Sequence, residues 1–434
     1  MKRRNRMARH YTIKEYESFT RGKSIPGGGY TMLPEQTFDQ LEQFVLANRS
    51  AADTEALDLM SISSRKGIGK IISARNYVGM IAMNDGTGIE ILPKIYSARS
   101  DDKDATKKIF FEMLRTVKEV PYRTFNVSHL RAEQMNVFEV FIRMFVDEVF
   151  TLVKRGLKAT YTVHADDEKF FKGKMVFSQH IKHNLVHKER FFVEYDIFSP
   201  NRPENRLIKS TIRFLQQKTT SARNKKDLSM LITSFDGIDY SSNYDSDFSL
   251  YIKNRNISEY DTAMRWCKVF LLNKSFTAFS GSEVAYALLF PMEQVFESYV
   301  AAKLKHRLDV AKYSIKTQDK RYHLFDFPIR KFSMRPDIVI TNKENGMITV
   351  LDAKWKLLSA AQHNYGISQA DMYQMYAYYK KYGAKQVVLI YPMTENVRPI
   401  EAGITFRSTD GVLVRAAFID FFDMDKSINN ILAI

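Results

Sequence analysis

The segment 334–356, MRPDIVITNKENGMITVLDAKWK, constrains the fold more than any other stretch of the chain. Two Ile/Val-rich runs flank Asn345-Gly346, the strongest short-range signal for a β-hairpin, because tight turns need φ > 0 and these two residues tolerate it. Side chains alternate between faces along a strand, so Asp352 and Lys354 share one face. A four-residue loop at 343–346 sets Asp337 opposite Asp352, and a two-residue loop at Asn345-Gly346 sets it opposite Lys354. Either register converges two carboxylates and an ammonium on one surface. An odd loop would put Asp337 opposite Ala353 and break the cluster.

Such a grouping suits phosphodiester hydrolysis. Carboxylates hold Mg²⁺, or Mn²⁺ in its place, with few protein ligands and several retained waters. The metal acidifies a water and polarises the phosphoryl oxygen, and a neighbouring lysine orients or deprotonates that water and offsets charge. Asp337 and Asp352 are the candidate metal ligands, the Ala353 carbonyl is a further oxygen donor, and Lys354 is the candidate water-activating group. Upstream, Glu293 and Glu297 lie at i,i+4 on a helix over 292–308 whose Val295, Phe296, Tyr299 and Val300 supply apolar anchoring, so Glu297 can reach the sheet edge as another ligand. Downstream, Gln374 and Tyr378 are i,i+4 on a helix over Gln369–Tyr382, with Asp371 one turn earlier. By alternation Trp355 faces away from Lys354.

The rest of the chain divides into three regions. Residues 1–105 form a β-rich unit: strands over 71–74, Tyr77–Met83 and 89–95, a turn at Asp85-Gly86, and a helix over 37–47 with Phe38, Leu41, Phe44 and Val45 on one face. Residues 106–290 are helix-rich, with runs at 107–117, 134–157 (ended by Gly156), 205–216, 224–232 and 261–272, and a polar loop at Asp166-Asp167-Glu168. Residues 291–434 read as an α/β block. The fold class is mixed, multidomain α/β.

Composition narrows the partners. Sixty-five Lys+Arg against 49 Asp+Glu leave +16, which favours polyanions. The excess is spread along the chain: 15 basic against 10 acidic over 1–100, 30 against 24 over 101–290, and 20 against 15 over 291–434. That distribution fits a grip on DNA phosphates. The single Cys267 excludes a disulfide framework or a cysteine zinc site and suits a reducing cytosol. No apolar run is long enough to span a membrane, and the basic start (Lys2, Arg3, Arg4, Arg6, Arg9) is followed by charges rather than a signal's apolar core, so it reads as a loose tail and the expected location is cytoplasmic. His180, His183 and His187, set among Lys182, Lys188 and Arg190, read as a basic surface rather than a metal site.

The order helix-Glu297, Pro336-Asp337, Asp352-Ala353-Lys354, helix resembles the PD-(D/E)xK nuclease superfamily, and Gln374 with Tyr378 resembles the QxxxY element of its RecB-like branch. More of the chain is similar to the McrC family, the nuclease subunits of McrBC-type modification-dependent restriction systems. The similarity rests on Ile91-Leu92-Pro93-Lys94, Gly156 followed by Tyr161, Phe171-Lys172-Gly173, Gln179, Tyr195-Asp196, Asn205-Arg206, Phe296-Glu297 with Tyr299-Val300, and Leu351 through Lys354. Residues 217–260, with a Ser/Asn/Asp-rich stretch at 241–249, look like an insertion. The resemblance implies a restriction-endonuclease-like core at 291–434, active-site roles for Asp337, Asp352 and Lys354, double-stranded DNA as substrate, and docking of the N-terminal domain on a McrB-like AAA+ GTPase that recognises modified cytosine. Consistent with a separate motor, no complete phosphate-binding loop occurs: Arg21-Gly22-Lys23-Ser24 lacks the leading glycine, and Ile71 follows Gly67-Ile68-Gly69-Lys70. No small-molecule cofactor is expected. The alternatives are a stand-alone RecB-like repair nuclease and a non-catalytic DNA-binding adaptor that regulates a motor.

Overall fold

A computed structural model describes residues 10–26, 28–49, 60–83, 87–95, 103–117, 136–253, 258–272 and 285–432. The basic tail at 2–9, the Asp85-Gly86 turn and the start of the helix expected from 134 lie outside them. Two compact units emerge. One comprises Met1–Phe138 and Ser275–Ile434, the other Glu139–Lys274.

The physical reason for the first grouping is a strand with no partner near it in sequence. Ala285–Pro291 pairs antiparallel with Tyr77–Met83 along its whole length, so residues just before the α/β block complete the N-terminal sheet. That sheet continues through Gly88–Leu92 to His10–Lys14. A second sheet, in the order Tyr30–Leu33, Ser18–Arg21, Gly69–Ala74, Met60–Arg65, lies alongside. Helix Glu35–Arg49 turns Phe38, Leu41, Phe44 and Val45 into a core shared with Phe19, Ile72, Ile81, Ile89 and Leu289, so one apolar mass joins both sheets. The close approach of Ala285–Pro291 needs Gly79: at φ +142°, a Cβ there would stand 2.1 Å from the Leu288 carbonyl oxygen.

The same unit holds a six-stranded sheet in the order Tyr313–Thr317, Ile338–Asn342, Ile348–Ala353, Gln386–Pro392, Leu413–Ile419, Ile404–Arg407. Its first three strands form an antiparallel meander; Gln386–Pro392 and Leu413–Ile419 then run parallel to Ile348–Ala353. Every residue of Gln386–Pro392 is buried, as expected of a central strand covered on both faces. Helix Gln369–Tyr382 has the bounds that the sequence suggests. Ser368 caps its start by accepting the Asp371 N–H at 3.2 Å, and Gly383 ends it in the left-handed conformation. Its Met375, Tyr378 and Tyr382 pack on Val339, Val350, Val387 and Leu389.

The second unit contains six α-helices among its described residues, together with a three-stranded sheet. Thr160–Glu168, Phe191–Ser199 and Lys174–Met175 pair antiparallel. Asp166-Asp167-Glu168 is therefore the end of a strand, not a polar loop, and Asp167 is fixed by Asn184 at 2.6 Å and Arg190 at 2.5 Å. Helices Val137–Arg155, Pro203–Lys218 and Asp261–Leu271 bury Phe141, Phe145, Leu207, Ile212, Trp266 and Phe270. Whatever its relation to the family pattern, the stretch read as an insertion is packed into the unit: Asp247, on helix Tyr244–Lys253, is buried against Arg206 at 2.5 Å. Its Ser/Asn/Asp richness is helix-start chemistry, since Asn243 Oδ1 accepts the Ser246 N–H at 3.0 Å.

Candidate active site

The hairpin pairs Ile338 with Leu351, which makes the four-residue loop at 343–346 the correct one and places Asp337 opposite Asp352. Asn342 closes that loop by donating its N–H to the Met347 carbonyl at 2.9 Å. Asp337 and Asp352 therefore meet at the carboxyl end of Ile348–Ala353, where parallel α/β sheets present ligand sites.

Hydrogen bonds tie the cluster together. Asp337 Oδ2 accepts the Ala353 N–H at 2.8 Å. The Lys354 ammonium stands 2.6 Å from Asp352 Oδ2 and donates to Gln374 Oε1 at 3.2 Å. Gln374 in turn donates through Nε2 to the Tyr378 hydroxyl at 2.9 Å. Glu297 arrives from helix Met292–Arg307 and is met by Gln318, whose Nε2 donates both to Glu297 Oε1 and, at 3.2 Å, to Asp337 Oδ1. All six side chains singled out from the sequence thus belong to one connected site. Glu293 does not join it: this exposed carboxylate accepts from Asn76 Nδ2 at 3.3 Å. Asp371 turns to Lys356, 2.7 Å away.

Burial shapes the charges. Asp337 is held well above the usual carboxylate range by burial and then by the Asp352 and Glu297 charges, against the opposing Ala353 N–H and Lys354. Burial raises Asp352 too, although the Lys354 charge resists, and it raises Glu297. For Lys354 burial works against the charged form, but Asp352, Asp337 and Asp371 outweigh it and keep the ammonium above its ordinary value. Three acids around one ammonium is a charge-deficient arrangement that a cation would relieve.

Among the described residues, no three His, Cys, Asp or Glu side chains are arranged to hold a metal ion by themselves. The donor set nevertheless fits a hard divalent ion, which uses one or two carboxylates and keeps its waters. Two observations support the fit: an amide nitrogen bridges Glu297 and Asp337, and Asp352 Oδ2, though beside an ammonium, receives no hydrogen bond of proper geometry.

Sequence reasoning missed Gln318, which follows strand Tyr313–Thr317 with no motif around it and holds φ +53°. It also missed Glu15. Trp355 does face away from Lys354, packing on Phe296 at 5.2 Å between ring centroids, and its indole N–H reaches both oxygens of fully buried Glu15 at 3.0 and 3.1 Å. Glu15 also accepts the Lys94 N–H at 3.0 Å, and burial pushes its carboxyl up to about 8. Lys94 is the last residue of the early Ile-x-Pro-Lys motif, so that motif and the neighbour of Lys354 converge on one acid. A cleft of about 550 Å³ adjoins Glu297 and Gln318, and Lys305 and Arg335 line it with positive charge. His180, His183 and His187 form no metal centre: His180 accepts the Phe192 N–H at 3.3 Å, and His183 stacks on Phe192.

A family model described as McrBC 5-methylcytosine restriction system component matches residues 72–392. The chain belongs to that family. Two solved structures from Thermococcus gammatolerans resemble it. One is a refined half-complex from a tetradecameric assembly of McrB AAA+ hexamers with bound McrC, at 22% identity and TM-score 0.69, covering 98% of this chain and 100% of that one. The other is a cryo-EM structure of the McrBC complex, at 21% identity and TM-score 0.50, covering 69% and 89%. At these identities the likeness concerns the fold. No curated protein matches the sequence. Among the described residues of this McrBC component, no helix is long and apolar enough to cross a membrane.

Proposed function

We propose that the chain is a McrC-like nuclease subunit: a Mg²⁺- or Mn²⁺-dependent endodeoxyribonuclease of the PD-(D/E)xK type that cuts methylcytosine-containing double-stranded DNA together with a McrB-like AAA+ GTPase. The observation that carries this reading is the gathering of Glu297, Asp337, Asp352 and Lys354 at one strand end, with a single amide bridging two of the acids. Family membership supports the restriction system, and the structural likeness to McrC bound to McrB hexamers supports the partner.

Asp337 and Asp352 would hold the metal, with Glu297 and the Ala353 carbonyl as further oxygen donors. A divalent ion bound there supplies an acidified water and a polarised phosphoryl oxygen. Lys354 pairs with Asp352, and the surrounding carboxylates hold its ammonium above its ordinary value, so its part is to orient or activate the attacking water and to offset charge on the phosphate. Gln374 fixes the ammonium, and Tyr378 fixes Gln374. Lys305 and Arg335 in the adjoining cleft match backbone phosphates.

The test is cleavage of methylated against unmethylated plasmid by the full chain with its GTPase partner, GTP and Mg²⁺. Methylation-dependent cutting is expected from wild type and none from Asp352→Ala. Cutting by Asp352→Ala at the wild-type rate would refute the site, and GTP-independent cutting of any duplex would favour a solitary repair nuclease.

A further inference from the structure

Residues 319–336 leave the six-stranded sheet at Gln318 and re-enter it at Asp337, so both ends of this excursion are active-site residues. Gln318 donates its backbone N–H to the Asp337 carbonyl at 2.9 Å and closes the base. Beyond it, strands His323–Phe325 and Lys331–Ser333 form a two-stranded ribbon. Its root is rigid: the Met334 N–H bonds the Tyr322 carbonyl at 2.9 Å, Tyr322 meets Tyr382 edge-on at 4.6 Å, and Asp326 pairs with Lys381 at 2.8 Å. Tyr382 is also in ring contact with Tyr378 of the site.

The outer part of the ribbon is apolar yet exposed. Phe327 is 89% accessible, Phe332 71%, Ile329 61% and Phe325 56%. Phe332 keeps φ +58°, a conformation that bulky residues avoid and that no burial offsets here. Charge says what covers this surface. The excursion carries Lys320, Arg321, Arg330, Lys331 and Arg335 against Asp319 and Asp326, and both acids are already engaged, by Arg321 and Lys381. Basic residues interleaved with exposed aromatics repel a second copy of the same surface and attract a polyanion. Apolar wedges flanked by Arg and Lys are the means by which proteins enter and unstack base steps of duplex DNA.

We propose that the 319–336 ribbon is a DNA-contacting wedge: Arg330 and Lys331 grip phosphates while Phe327 and Phe332 insert at a base step beside the scissile bond. It rests on the nuclease reading and adds a deformation of the substrate to it. A base step held open next to the metal carboxylates would fix which phosphodiester reaches Lys354.

The test uses the full chain, alone and with its partner, and a fluorescein-labelled duplex of about 30 base pairs carrying 2-aminopurine, with Ca²⁺ in place of Mg²⁺. Wild type is expected to bind and to brighten 2-aminopurine by unstacking it. Phe327→Ser combined with Phe332→Ser, at exposed positions, should keep the wild-type melting temperature, weaken binding on the order of ten-fold and abolish the brightening. Arg330→Ala with Lys331→Ala should weaken binding and reduce the salt dependence by about two phosphate contacts. Wild-type affinity and brightening in the aromatic variant would overturn the wedge while leaving the nuclease reading intact. Failure of wild type to bind any duplex would overturn both. Loss of self-association on gel filtration with DNA binding unchanged would assign the surface to a second copy and refute the proposal.

Discussion

Replacing Glu15 with glutamine is a direct test of how burial sets charge beside the candidate site. The Glu15 side chain is wholly buried, and its neighbours are the Trp355 indole N–H, the Lys94 backbone N–H and the nearby Glu293 charge. Its carboxyl rises from 4.5 to about 8 because losing water costs more than these donors return. The sign follows from proton binding. Between pH 4.5 and about 8 the folded chain holds a proton on Glu15 that the unfolded chain has released, so this residue's contribution is full below pH 4.5 and is lost as pH climbs to about 8. At about 1.36 kcal/mol per pH unit, that interval amounts to roughly 4–5 kcal/mol. Glu15→Gln keeps one oxygen that can accept from both Trp355 and Lys94, and it carries no charge to bury. The variant should be equal to or slightly less stable than wild type at pH 5 and clearly more stable at pH 9. Paired thermal scans from pH 5 to 9 read the difference, in which the shared titrations of Asp337, Asp352 and Glu297 cancel. At roughly 1–2 °C per kcal/mol for a chain of this size, the gap should drift by about 4–8 °C in favour of Gln. A pH-independent gap would refute the reasoning.

Other perturbations separate the remaining forces. Lys354→Met leaves Asp352 buried without its cation, so cleavage should vanish and stability should fall by about 3–5 kcal/mol at pH 8, with a loss that shrinks as pH falls because burial favours the neutral carboxyl of Asp352; denaturant titration across the pH range checks this. Gln318→Ala removes the amide between Glu297 and Asp337, so without divalent ions the chain should lose about 1–3 kcal/mol at neutral pH, and 10-mM-scale (roughly) Mg²⁺ should shrink the deficit in a thermal scan if a cation takes the bridging position; an unchanged deficit would count against Glu297 as a ligand. Gly79→Ala drives a Cβ to 2.1 Å from the Leu288 oxygen, so strand Ala285–Pro291 should lose hydrogen-exchange protection and stability by at least about 2 kcal/mol.

The order of legibility follows the range of the forces. The hairpin, its converging Asp337 and Asp352, and the helix Gln369–Tyr382 were readable because strand alternation, an Asn-Gly turn and helical spacing act within a few residues. The sheet at 160–199 was legible only as a strand-like run at 191–195, because its strands alternate weakly and apolar side chains stay exposed, Tyr161 and Phe198 among them. One long-range pairing was not legible for a different reason: a strand at 285–291 chooses its partner at 77–83 by backbone complementarity across some two hundred residues, and nothing local records that choice.

By itself, then, the sequence determined which residues could gather at one place, because the spacing of Asp352 and Lys354 along a strand and of Glu297 on an apolar-anchored helix is set by period alone. Only the tertiary structure decided how those residues are charged and held. Gln318 bridges two acids from a position with no motif, and Glu15 meets Trp355 at a separation of 340 residues. Both act through burial, and burial is a property of the packed chain: the same carboxyl that titrates near 4.5 in water is moved to about 8 once the fold removes the water around it.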